Sequence, residues 1–144
     1  MYIDTSVLVS AFSNEPLQAV AMALLQAPVW EQVCVSDWTV AEFTCALQAK
    51  VLRGETPSEV AHSIGLTLKN LMSRGALHRI AVLREDYATV QRTVPGLNCL
   101  VRGADALHLA VAARSSITHF ASLDNTQRIA ASHWLVGIDC VPGA

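Results

Sequence analysis

The sequence predicts a three-layer α/β sandwich in which a mainly parallel central sheet is flanked by helices. Three observations predict it. Short strand-like runs alternate with helical stretches along the whole chain. The helical stretches are long enough to act as right-handed crossovers between parallel strands. Apolar residues make up 52% of the chain and charged ones 15%, so an unusually large surface must be buried, as in a sheet covered on both faces.

The elements follow in order. Tyr2-Ile3-Asp4 reads as a short strand leading into an apolar helix from Thr5 to Phe12, and Pro16 suits the first turn of a helix reaching about Gln26. Gln32 to Val35 reads as a buried strand, and Ser36 or Asp37 can cap a helix running to Leu52. After the turn signal Gly54-Glu55-Thr56, Pro57 opens a helix ending near Gly75. Arg79 to Leu83 alternates as a strand, Glu85 to Thr93 is helical, and Pro95-Gly96 breaks it. Arg102 to Arg114 is a helix with almost no polar side, hence buried on most faces. His119 to Leu123 is the fourth strand, Asp124 caps a helix to about His133, and Leu135 to Ile138 forms a last edge strand.

A chain of 144 residues has room for one domain with a real core, and residues 1–144 are expected to form one. No apolar run approaches the ~18 residues that cross a bilayer, and the chain opens without a basic then apolar leader, so a soluble cytoplasmic protein is expected. Cys34, Cys45, Cys99 and Cys140 are widely spaced among apolar neighbours and read as buried, reduced thiols. Net charge is −2 and Lys and Arg form no basic run, so charge alone does not point to nucleic acid.

Four acids stand where acids are expensive. Asp4 ends the first strand between Ile3 and Val7-Leu8-Val9, at a strand's carboxyl end where ligand crevices form, although it also suits a helix cap. Glu42 is the only acid inside its helix, on a stripe of Trp38, Ala41, Cys45, Ala46 and Ala49. Asp105 lies in the first turn of the most apolar helix, and Asp124 begins a capping-box pattern with Gln127. Four converging carboxylates would repel one another, hold their folded pKa values above the unfolded ones, and call for divalent cations. Oxygen-only ligands select Mg²⁺ or Mn²⁺, and such ions suit phosphodiester hydrolysis because they lower the pKa of water and offset phosphate charge.

Tyr2-Ile3-Asp4-Thr5-Ser6, Val40-Ala41-Glu42-Phe43, Ala104-Asp105-Ala106-Leu107-His108-Leu109-Ala110 and Ser122-Leu123-Asp124, in this order on a chain of this size, resemble the PIN domain, and within it the VapC-type toxins. The resemblance implies an endoribonuclease dependent on Mg²⁺ or Mn²⁺, a homodimer, and a cognate antitoxin. It places Asp4, Glu42, Asp105 and Asp124 at the acidic positions, with Asp4 and Asp105 central. Ser6 and Ser122 take hydroxyl positions able to hydrogen-bond carboxylates. After Asp124 the chain reads Asn125-Thr126-Gln127-Arg128, where relatives often carry a further acid and an aromatic residue.

Other residues have plainer readings. His108 lies one turn beyond Asp105 and reads as a hydrogen-bonded histidine on a buried helix, not a ligand. Arg102 can contact RNA phosphate or pair with a carboxylate. Asp37, Asp86 and Asp139 read as cap or surface acids. Val60, Ile64, Leu68 and Leu71 form a stripe that serves either the core or a groove for an antitoxin. Two rival functions are a PIN fold that binds RNA or protein with little catalysis, and a phosphotransfer domain. The second is disfavoured because Asp4 has no acid two residues on and no Lys follows the later strands.

Overall fold

The computed structural model describes residues 1–142. Five strands form one sheet: β1 (Tyr2–Ile3), β2 (Cys34–Ser36), β3 (His78–Ile80), β4 (His119–Ser122) and β5 (Asp139–Pro142). Their order is β3-β2-β1-β4-β5, and every neighbouring pair is parallel. The connections are α1 (Thr5–Phe12), α2 (Gln18–Gln26), α3 (Asp37–Leu52), α4 (Ser58–Ser73), α5 (Arg84–Thr93), α6 (Gly103–Arg114) and α7 (Asn125–Trp134), with a 3-10 turn at Val94–Gly96. The sandwich predicted from sequence is the one observed.

Alternation along the strands divides the interior into two cores. Ile3, Val35 and Ala121 face one side, where Val7 and Leu8 of α1, Phe43 and Leu47 of α3 and Leu68 of α4 pack on them. Tyr2, Cys34 and Phe120 face the other, beneath Leu109 and Val111 of α6 and Ala130 and Ala131 of α7. Ala106 to Ala112 are all buried, as the missing polar side of α6 requires. Tyr2 stacks on Phe120 with ring centroids 5.7 Å apart, so the central strand carries its largest side chain into the second core.

β2 lies at Cys34–Ser36 and not Gln32–Val35, and three further elements differ from expectation for a local reason. Pro16 precedes α2 by two residues; Glu15 is tied to Lys50 of α3, and the Gln18 N–H donates to the Glu15 carbonyl, so the turn runs on before the helix starts. β3 begins at His78 and ends at Ile80 because residues 81–83 find side-chain partners instead of a sheet ladder. Val82 N–H donates to Asp37 (3.3 Å), Leu83 N–H to Asp86 (2.8 Å), and Arg114 donates to the Ala81 carbonyl (2.8 Å). β5 starts at Asp139, since Leu135 turns into the core, Val136 is 94% exposed and Gly137 takes φ +77°. Pro142 is tolerated there because β5 is an edge strand.

Of its two readings Asp86 is the cap and not the surface acid: it accepts from the Leu83 N–H at the start of α5 (2.8 Å), is 1% exposed, and accepts from Arg114 Nε (2.8 Å) and Nη2 (2.9 Å). Only Cys34 of the four thiols is buried; Cys45 is exposed and the other two are half-buried. Asp86→Ala should destabilise the protein by about 2 kcal/mol in urea unfolding, because it strips charge-assisted bonds from Leu83 and Arg114. Glu85→Ala, on the exposed side of the same turn, should stay within about 0.5 kcal/mol of wild type.

Candidate active site

The carboxyl ends of β1, β2 and β4 open on a pocket of about 490 Å³ whose wall includes Asp4, Glu42, Asp105 and Asp124. Four elements deliver them: the end of β1, the second turn of α3, the first turn of α6 and the cap of α7. The apolar stripe around Glu42 is the side of this pocket and not core, since Trp38, Ala41, Cys45 and Ala46 line it while Phe43 and Leu47 face inward.

Asp4 is 2% exposed. Its Oδ1 accepts from Ser6 Oγ (2.6 Å) and from the Val7 N–H (3.3 Å) at the start of α1, and its Oδ2 accepts from Ser122 Oγ (2.6 Å). Both hydroxyls named from sequence therefore serve this one carboxylate. Burial pushes its pKa up against the pull of Ser122 and Ser6.

Glu42 shows the opposite balance. Burial acts to raise its pKa, but hydrogen bonds from His108 and Thr5 leave it lowered. Thr5 Oγ1 donates to its Oε2 at 2.5 Å and His108 Nε2 to the same oxygen at 2.7 Å. Trp38, one turn earlier, carries a buried indole N–H whose geometry falls short of a hydrogen bond but which still favours the ionised carboxylate.

Asp105 is half-buried, and its pKa is raised by burial first and then by the charge of Asp124. Its Oδ2 is buried without a hydrogen-bond partner. Asp124 caps α7, accepting from Thr126 N–H (2.7 Å) and Gln127 N–H (3.2 Å). Gln127 does not close the capping box; its side chain is buried in the pocket wall with Nε2 unpartnered. The expectation that mutual repulsion raises all four pKa values is corrected: burial dominates at Asp4, repulsion is evident at Asp105, and Glu42 moves down.

Arg102 is exposed at the cap of α6 and makes no ion pair among the described residues, though its charge eases the ionisation of Asp105. His108 is 2% exposed and hydrogen-bonded, as its sequence setting implied. Thr5 and Tyr2 were not singled out from sequence; the phenol on an otherwise apolar strand was the visible signal for Tyr2, whereas the partners of both, at residues 42 and 108, are met only in the assembled fold.

Among the described residues, no three His, Cys, Asp or Glu side chains are arranged to hold an ion as they stand. The donor chemistry nonetheless fits a hard divalent cation. All four ligand candidates are carboxylates, and one of their oxygens, Asp105 Oδ2, is buried without a hydrogen-bond partner in the wall of this pocket. A larger cavity lies elsewhere. It is an open groove of about 920 Å³ between α3 and α4, walled by Phe43, Leu47, Leu68 and Met72 and containing no acid.

A family model described as PIN domain matches residues 1–132. No curated protein sequence matches the chain. Among solved structures, the chain is similar to VapC20 of Mycobacterium tuberculosis, a sarcin–ricin-loop-cleaving toxin, with TM-score 0.71 and 15% identity over 94% of this chain and 97% of that one. It is also similar to VapBC2 of Rickettsia felis bound to a DNA fragment from its promoter (0.68, 14%, 98% and 96%). FitAcB of Neisseria gonorrhoeae gives 0.67 and 17% over 99% and 96%.

The carboxylates leave opposite traces on metal-free stability. With a raised folded pKa, the Asp105 contribution is fully present below the unfolded carboxyl pKa and is lost as pH rises through the folded value. With a lowered one, the Glu42 contribution is present above the unfolded pKa and is lost as pH falls through the folded value. In chelator at pH 7, Asp105→Asn should therefore raise Tm and Glu42→Gln should lower it, both differences shrinking as the pH approaches 3. Calorimetry across that range checks the signs.

Proposed function

The chain belongs to the PIN-domain family, and from that premise we propose that it is a Mg²⁺- or Mn²⁺-dependent endoribonuclease acting as the toxin of a toxin–antitoxin pair. The observation that carries this reading is the gathering of four carboxylates from four elements around one pocket, beside a buried Asp105 oxygen with no protein partner. Asp4 and Asp105 would hold the ion, with Glu42 and Asp124 completing its surroundings. When bound, the ion supplies activation of water and neutralisation of phosphate charge.

The chain's own residues do the rest. Ser6 and Ser122 fix both oxygens of Asp4, so this carboxylate cannot turn away from the pocket. The α7 amides hold Asp124 Oδ1 and fix the group in the pocket wall. Arg102, exposed at the N-cap of α6, would meet an RNA phosphate.

The partner reading rests on shape and apolar surface. Of the α4 stripe, Leu68 is buried and Ile64 and Leu71 pack on the core, so those residues serve the protein's own interior. The groove beside them, lined in part by the exposed Leu52, suits an apolar antitoxin segment. A homodimer in the cytoplasm completes the proposal. The rival, a PIN fold that binds RNA or protein without cutting, shares this surface but needs no acid.

Freed of any partner, the protein should cleave RNA in Mg²⁺ or Mn²⁺, stop with chelator, and leave duplex DNA intact. Asp105→Asn should cut the rate by at least about a hundredfold and relieve growth arrest on expression, with far-ultraviolet circular dichroism unchanged. Cleavage at the same rate in chelator, or an Asp105→Asn variant as active as wild type, would contradict the proposal.

A further inference from the structure

The histidine on α6 is buried at the floor of the acidic pocket and engaged at both ring nitrogens. Nε2 donates to Glu42 Oε2 at 2.7 Å, and Nδ1 lies 2.8 Å from the Tyr2 hydroxyl. The ring cannot swing or flip without losing both contacts. Tyr2 is itself fully buried on the central strand. Its hydroxyl donates to Ser36 Oγ at 2.8 Å and lies 3.2 Å from Thr39 Oγ1. Those two residues form the capping box that starts α3, the helix carrying Glu42. One buried phenol thus touches both the ring that grips Glu42 and the cap that sets the helix from which Glu42 projects.

Packing alone does not require this arrangement. An apolar pair would fill the same space without four further hydroxyl and imidazole groups to satisfy. Glutamate has three rotatable side-chain bonds and would otherwise sample many positions at the pocket wall. With His108 and Thr5 both on Oε2, that oxygen is anchored and Oε1 is the one left for a cation.

Building on the metal-dependent nuclease reading above, we propose that His108, held by Tyr2, is a positioning residue for Glu42, presetting its carboxylate for the divalent ion. Carboxylates that bind metals depend on such hydrogen bonds, and losing one typically weakens affinity by 10- to 100-fold. The effect is borne by orientation: neither Tyr2 nor His108 is a ligand.

The test is Mn²⁺ titration of the purified protein, followed by the electron paramagnetic resonance of free Mn²⁺, with Tm in chelator measured alongside. Tyr2→Phe removes one hydroxyl and no volume of consequence, so it keeps the test open if His108→Leu fails to fold. Both should weaken Mn²⁺ binding by about tenfold or more at a temperature where the protein is fully folded. His108→Gln, which returns an N–H near the Nε2 position, should recover most of that loss. A merely structural role would lower Tm and leave the dissociation constant of the folded protein unchanged.

Asp105→Asn separates the two levels of the argument. If it abolishes Mn²⁺ binding while Tyr2→Phe and His108→Leu bind as wild type does, the positioning role is overturned and the nuclease site stands. If Asp105→Asn also binds as wild type does, the metal site itself is misplaced and both fall.

Discussion

A carboxylate buried at the end of the central strand is the constraint around which this molecule is arranged. Asp4 is 2% exposed, and an ionised group there is tolerated only if its oxygens are met by donors. Ser122 must end β4 level with it, which the pairing of Tyr2 with Phe120 and of Ile3 with Ala121 ensures. Ser6 must bend back from the first turn of α1, and it is pinned there by the N–H of Leu123, on the loop that follows β4. The register of β1 with β4, the start of α1 and the start of α7 are thus coupled through one side chain, and two of the acidic residues, Asp4 and Asp124, take their places from those elements.

The same pocket sets stabilising against destabilising charge. Glu42 has partners sufficient to draw its pKa down, whereas Asp105 keeps a buried oxygen unmet and feels the charge of Asp124. A fold selected for stability alone would neutralise Asp105 or give it a donor. Retaining an unmet carboxylate in a concave, partly buried site is the kind of local cost that accompanies ligand binding. Among the described residues, no three acids close on an ion as they stand, and the oxygens of Asp4 are met by hydroxyls and one of Asp124 by amides.

Much of this was legible in the sequence, and what was not shares a cause. β1, β2 and β4 are apolar runs bounded by caps, and α6 has no polar side, so local pattern sufficed. The ends of β3 and the start of β5 are decided by Asp37, Asp86 and Arg114, or by a positive-φ glycine, which no local window weighs. The four acids stood out because they interrupt apolar surroundings. The stripe beside Glu42 was visible too, but whether small residues line a core or a pocket depends on what faces them across space. The Tyr2–His108–Glu42 chain joins residues 2, 108 and 42, and only the assembled sheet brings them together.

The central claim is that the acids form a cation site beyond the helix caps that two of them provide, and a comparison of melting temperatures with and without Mn²⁺ tests it most directly. An ion that binds only the folded state stabilises it by about 2.7 kcal/mol at a hundred times its dissociation constant. Wild type should melt below Asp105→Asn in chelator and above it in millimolar Mn²⁺, so that the ranking crosses. If wild type is indifferent to Mn²⁺ and Asp105→Asn melts lower in both conditions, the carboxylates are structural and the account fails.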